Sequence, residues 1–576
     1  MFAQVDGGPQ RRDGGRRSPG ARLGWLVALA SGFIFVLVSA VWAAPDQVEV
    51  AVGDKGLTTL RYGGREFLQN GEFRVAGAFF MKDGAVRAAD LAGGQLRRTD
   101  GPTPTLTWNF PWGRVALRCE AAGNRLRLTV DLAVNRDAGT LVGIYLHLAD
   151  LKFPKKPDFQ NESFFFYGWT TIGHNVGGPS VVGADFGSGV LVLANEDSKR
   201  PLAFGLGQPS DGNAATVYPI LAYTSRHPML KKTFPFIDRP IPPGGTDRYI
   251  LSLRFGPAGT KADDLAEDIY KSYAAAFPPR FKWPDRRPIG RFFMSTSEAR
   301  CHSKTNPRGW FMDPTLDVIS DAGRAKFKER VLAWADSSIK ICKEMDAQGI
   351  VVWDSEGQEY PHATSYLGDP RRVAPEFEPF SDEFYNRFLK AGLRTGVCIR
   401  PQRLVETDKG LKQEGVSGHK DRVALVTEKI QFARKRWGCT LFYFDSNVDW
   451  PGDPVSIPGA AGSSVTIDSL LLKELMEKFP DVMIIPEWQT AESYAYSAPY
   501  NQLDVRLKLT APPPSVLRSY PGAFFVNMVT GRDADAHRDA LIKAVRRGDI
   551  LFFDGWWPAP DNARVKAIYE AAAAAP

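Results

Sequence analysis

Two short apolar runs in the C-terminal half of the sequence each end in a carboxylate. Residues 439–446 read Cys-Thr-Leu-Phe-Tyr-Phe-Asp-Ser, and residues 482–488 read Val-Met-Ile-Ile-Pro-Glu-Trp. Runs of this kind are expected as buried parallel strands, which places Asp445 and Glu487 at strand exits. A (β/α)8 barrel carries its chemistry at that end of its strands. Two carboxylates on neighbouring strands suit cleavage of a glycosidic bond: one ionised as nucleophile or base, the other an acid with a raised pKa. Asp445 fits the ionised role, because Arg400 on the preceding strand would hold its pKa low. Glu487 has the longer reach and apolar neighbours in Pro486 and Trp488, which favour a protonated acid. Asp504 is the rival acid, and the plain alternative for either carboxylate is an ion pair that holds the barrel end together.

Those residues need a scaffold, and the pattern after Pro288 supplies one. Strands are expected at 289–294, 349–353, 395–399, 440–444 and 482–485, and then at 505–509, 523–528 and 550–553. Helices are expected between them at 326–347, 382–391, 420–437, 467–479 and 536–547. Strand-then-helix repetition implies a parallel sheet, and eight units fit a closed barrel. No glycine-rich phosphate loop follows a strand, which disfavours a dinucleotide-binding sheet.

The residues just past each strand then converge on one rim. Asp354 and Glu356 read as ligands of substrate hydroxyls. Arg400 and Asn447 lie beside the acidic pair, and Trp488 and Trp556, with Trp450 and Trp557, are possible sugar platforms. Together they describe a cleft for a molecule with many hydroxyls.

Ahead of the barrel, residues 45–258 read as short strands broken by Gly, Asn and Asp. Residues 125–132, Arg-Leu-Arg-Leu-Thr-Val-Asp-Leu, alternate with period two, so an antiparallel β-sandwich is expected. Residues 259–288 read as a helix and then a Pro-rich linker, leaving 289–576 for the barrel. At the N-terminus five Arg within residues 1–22 precede an uncharged apolar run, 23–44, that closes in small residues. This is the pattern of an export signal, and the protein is expected outside the cytoplasm. The run is also long enough to span a bilayer, so a membrane is a partner only if it stays uncleaved.

The net charge of +7 includes a surplus of three from residues 1–44, so the rest carries about +4 and shows no basic stripe with interleaved aromatics. Nucleic acid is not expected as a partner. Five widely spaced Cys form neither a disulfide framework nor a zinc site, and buried thiols are expected. Seven His fall in no metal-ligand spacing, and no G-x-S-x-G elbow occurs, so no metal or other cofactor is expected.

An export signal, a sandwich, a short helical linker and a barrel with a strand-four Asp resemble the α-galactosidase and α-glucosidase-like glycoside hydrolases. Residues 441–447, Leu-Phe-Tyr-Phe-Asp-Ser-Asn, resemble their nucleophile strand, and residues 244–253 resemble the last turn and strand of their sandwich. The resemblance implies a retaining mechanism with Asp445 as nucleophile. It also implies an acid/base after strand six, whereas Glu487 is expected after strand five. Barrel hydrolases of galactosamine polymers are similar too, with an Asp after strand four and a later Glu. The non-enzymatic alternative is an exported carbohydrate-binding protein on a hydrolase-like barrel.

Overall fold

The structure is a computed structural model. It describes residues 47–574, except 84, 156, 161–170, 173–180, 200–202, 208–215, 224–225, 228–231, 234–239, 297, 358–367, 409, 417, 446–468, 488–490, 503–509 and 530. The apolar run 23–44 lies outside these residues, and among them no helix is long and apolar enough to cross a membrane.

The N-terminal region is built of antiparallel sheets. In one of the two main sheets, Thr246–Pro257 runs between Arg125–Val134 and Gly189–Asn195. Leu126, Leu128, Val130 and Leu132 all face inward and are buried, as the period-two pattern requires. They pack in one core with Leu141, Ile144 and Leu146 of the second sheet. The segment that follows contains a helix, α1 (Glu267–Ala276). Arg254, itself buried in the sandwich, donates to Asp268 and to Glu196 and so ties α1 to the sheet.

After the linker come eight parallel strands: β1 (Ile289–Phe293), β2 (Gly349–Trp353), β3 (Arg394–Ile399), β4 (Leu441–Phe444), β5 (Met483–Pro486), β6 (Tyr500–Gln502), β7 (Val526–Met528) and β8 (Ile550–Asp554). They pair in the order β5-β4-β3-β2-β1-β8-β7-β6, a nearly closed barrel with its seam between β5 and β6. Among the described residues, a bond from Ala498 N–H to the Ile484 carbonyl at 2.9 Å joins the seam near its base. The interleaved helices include α2 (Asp321–Glu344), α3 (Ser381–Lys390), α4 (His419–Trp437), α5 (Ser469–Lys478) and α6 (Arg538–Arg547). Helix α2 begins five residues before the expected 326, because Ser320 caps it by accepting from Gly323 N–H at 3.0 Å.

The sixth strand corrects an expectation. It falls on Tyr500–Gln502, while 505–509 lies outside the described residues. Its middle residue, Asn501, is polar and buried, so no apolar run announces it. All five Cys are free and buried. Linker residue Trp283 closes the N-terminal mouth of the barrel, its indole N–H on Gln348 at 2.8 Å.

Candidate active site

Alternation along the strands decides which residues reach the cleft. Val351, Trp353, Cys398, Leu441, Tyr443, Met483 and Ile485 fill the barrel interior. Their neighbours Val352, Ile399, Phe442, Phe444 and Ile484 face the helices. Cys398, Tyr443 and Ile485 sit in register across β3, β4 and β5. Two residues further on, the same inward positions are Arg400, Asp445 and Glu487. The ladder extends to hold them: Asp445 N–H donates to the Ile399 carbonyl at 2.9 Å, and Glu487 N–H to that of Phe444 at 3.0 Å. Three charged residues thus form one row along the C-terminal edge of three adjacent strands.

Within the row Arg400 grips Asp445. Its Nε donates to Asp445 Oδ2 at 2.7 Å and its Nη2 lies 2.5 Å from the same oxygen. Asp445 is only 7% exposed, and Glu487 is half-buried. Burial by itself would lower the Arg400 guanidinium, but the Asp445 carboxylate and then Glu487 outweigh it and hold it above an ordinary arginine. Arg400 is therefore a fixed cation at one end of the row, bound to Asp445. Its backbone is fixed as well, with N–H donating to the Gly368 carbonyl at 2.9 Å. Gly368 has φ +63°, and a Cβ there would come within 2.6 Å of Arg400, so glycine is required.

Other predicted residues are placed differently. Asp354 is buried at the β2 exit with φ +68°, a conformation unusual outside glycine and typical of sites held under constraint. Burial raises the Cys398 thiol in the top interior layer, and the carboxylates of Asp445, Glu356 and Asp354 add to it. Glu356 turns beneath its own loop: its Oε1 accepts from Asp369 N–H at 2.6 Å, and burial raises its pKa. Its bonding is that of a loop anchor rather than of a group open to the cleft. Trp556 also departs from expectation. The ladder ends at Asp554, and the turn beyond it packs Trp556 on Trp334 of α2, ring centroids 5.4 Å apart. Trp557 is the exposed member of the pair, at 42%. Asn447, Trp450, Trp488 and Asp504 lie outside the described residues, Asp504 two positions beyond the end of β6.

The structure adds residues that the sequence reading passed over. Arg291 of β1 pairs with Asp554 of β8 at 2.8 Å inside the barrel. Lys429 of α4 is fully buried and donates to the carbonyls of Gly368, Arg400 and Gln402. The signal for Lys429 was present in the sequence. It falls in the stripe of Val423, Val426, Ile430 and Ala433 that α4 turns inward, where a lysine is out of place. Among the described residues no group of His, Cys, Asp and Glu could hold a metal ion.

No family model matches the chain, and no curated protein matches it in sequence. Solved structures do. The chain is similar to a GH31 family sulfoquinovosidase from E. rectale at 11% identity and a TM-score of 0.46, over 91% of this chain and 82% of that one. It is similar to the GH36 α-galactosidase AgaB from Geobacillus stearothermophilus at 9% identity and a TM-score of 0.41, over 92% and 75%. It is likewise similar to an α-galactosidase from Lactobacillus brevis at 11% identity and a TM-score of 0.40, over 92% and 73%.

Proposed function

We propose that the protein is an exported, retaining glycoside hydrolase in which Asp445 is the nucleophile and Glu487 the acid/base. The observation that carries this reading is the in-register row of Arg400, Asp445 and Glu487 at the C-terminal edge of β3–β5. Barrel enzymes do their chemistry at that edge. An oxocarbenium-like transition state needs a carboxylate held ready beside it, and two N–H bonds from Arg400 hold Asp445 without protein reorganisation at the moment of reaction.

In the first step an Asp445 oxygen attacks the anomeric carbon. The bond to the leaving oxygen breaks, and that oxygen takes the proton of Glu487. In the second step a water oxygen attacks the same carbon, Glu487 accepts the water proton, and the ester to Asp445 breaks. Arg400 stays protonated throughout and orients Asp445. Asp354 is assigned to a sugar hydroxyl, and Trp557 supports a ring at the mouth.

One observation favours Asp504 as the acid instead. Asp504 follows β6 in sequence by two positions, and the glycosidases that the sequence resembles keep their acid/base after strand six. The two are separated by leaving-group dependence. The variant of the true acid loses turnover of alkyl glycosides far more than of nitrophenyl glycosides, which leave without a proton. The nucleophile is tested with a 2-deoxy-2-fluoroglycosyl fluoride. A stable adduct on the peptide bearing Asp445 is expected by mass spectrometry. Full trapping in Asp445→Asn, or a product released with inverted configuration, overturns the reading.

A further inference from the structure

We propose that Lys429 is a positioning residue for this site: its ammonium ties together the loops leaving β2 and β3 and so sets Arg400 against Asp445. The inference rests on the reading of Asp445 as the reacting group.

Lys429 sits on α4, fully buried, behind the rim. Its Nζ lies 3.0 Å from the Gly368 carbonyl, 2.8 Å from that of Arg400 and 2.8 Å from that of Gln402. An ammonium has three N–H donors, and here each meets one acceptor. Two acceptors belong to the chain leaving β3 and one to the loop that follows β2. The Gly368 carbonyl also receives Arg400 N–H, so a single knot fixes the backbone on both sides of the Arg400 side chain. Asp369 Oδ2, 3.6 Å from Nζ, supplies the countercharge. Asp369 is in turn held by Arg371 at 2.8 Å, and Arg371 by Glu428 of α4 at 2.7 Å. Glu356 completes the surroundings through Asp369 N–H. Among the described residues, the charged groups facing Lys429 are therefore Asp369, Arg371 and Glu356 of the β2 loop, with Arg400 of β3 behind its own carbonyl.

A buried charge is costly, and burial pulls Lys429 down to about 8 although Asp369 opposes it. Neutral amines carry two N–H donors rather than three. Loss of the proton leaves one of the three carbonyls without its bond, and the knot slackens. Because the folded value lies below that of a free lysine, the ammonium is present at neutral pH and lost as pH rises through about 8. Activity is expected to fall on that alkaline limb.

Hydrogen exchange with mass-spectrometric readout tests this without requiring turnover. In the wild-type protein, exchange at the amides of Asp369 and Arg400, corrected for its intrinsic rise with pH, is expected to quicken about tenfold between pH 7 and 9. In Lys429→Met it is expected to be fast at both pH values. The same variant is expected to lose kcat about tenfold or more with little change in KM, and to lose the alkaline limb. Corrected exchange that is independent of pH in the wild-type protein overturns the proposal, even if the Met variant does not fold. So does wild-type protection in the variant. If exchange behaves as expected but the wild-type protein cleaves no glycoside, the knot stands and the reading of Asp445 fails.

Discussion

Asp445 and Asp549 are both buried aspartates gripped by an arginine, and they lie at opposite ends of the same barrel. Asp549 precedes β8, at the N-terminal end. Its two oxygens accept from Phe525 N–H at 3.1 Å, Asn527 Nδ2 at 3.1 Å and Arg547 Nη2 at 2.6 Å. Asn527 in turn accepts from Asn501 at 2.6 Å, so the network stitches the three-residue strands β6 and β7 to β8. The bonds described for Asp445 are the two from Arg400, both on Oδ2. Residue type and ion pair do not separate the proposed nucleophile from a structural carboxylate. The proposed assignment rests instead on the end of the barrel at which each aspartate sits. Conserving a fold and performing chemistry are tasks given to opposite faces of a barrel.

The largest expected effect tests that division directly. Asp445→Asn is expected to lower kcat by about 10³-fold or more while leaving the unfolding midpoint near that of the wild-type protein. Asp549→Ala is expected to do the reverse. It strips Arg547, Asn527 and a backbone N–H of their acceptor, at a cost of about 3–5 kcal/mol, with kcat on the surviving folded fraction little changed. Urea unfolding and turnover measured on both variants settle it. Equal losses of activity from the two would erase the distinction.

The arginines extend the comparison. Lysine cannot give two N–H bonds to one oxygen from a rigid fork, so Arg400→Lys is expected to misplace Asp445 and lower kcat about 100-fold. Arg547→Lys is expected to lower stability by about 1 kcal/mol and leave kcat alone. A pH titration sharpens the N-terminal side. Burial outweighs Arg547 and raises Asp549 from its usual 3.8 to about 6. Between those values the folded state binds a proton that the unfolded state has released, so this group's contribution is largest below about 4 and is lost as pH rises through about 6. The stability of the wild-type protein relative to Asp549→Asn is expected to fall over that window in urea unfolding at a series of pH values. A flat difference would contradict it.

How much of this was legible in sequence follows from the same physics. Asp445, Glu487 and Arg400 each end a buried run, and the change from apolar to charged marks a strand exit at the rim. β6 left no such mark. Its Asn501 satisfies the network behind it rather than the core, and a search for apolar runs steps past it. That displacement matters, because Asp504 then follows the sixth strand in sequence instead of preceding it. Lys429 stands out in the inward stripe of α4, but what it binds was illegible for another reason. Its partners Gly368, Arg400 and Gln402 are remote in sequence, and they are carbonyls, which no residue type announces. Trp556 and Trp557 were indistinguishable in sequence because a four-residue turn, not strand alternation, decides which of them packs inward.

The smallest expected effect belongs to a pair of tryptophans, again one at each end. Trp283 plugs the N-terminal mouth, 5% exposed, with Arg394 over its ring at 4.8 Å and its N–H on Gln348. Replacing it with Ala is expected to cost about 3–5 kcal/mol of stability through the cavity left behind. Trp557, 42% exposed at the other mouth, meets the core through the ring of the half-buried Trp556, so Trp557→Ala is expected to shift stability by no more than about 0.5 kcal/mol. If Trp557 is a platform for a sugar ring, its loss removes one stacking contact worth about 1 kcal/mol, seen as a KM raised about fivefold with kcat nearly constant. An unchanged KM across a set of glycosides of increasing length would remove Trp557 from the cleft and shift the platform role to other residues of the rim.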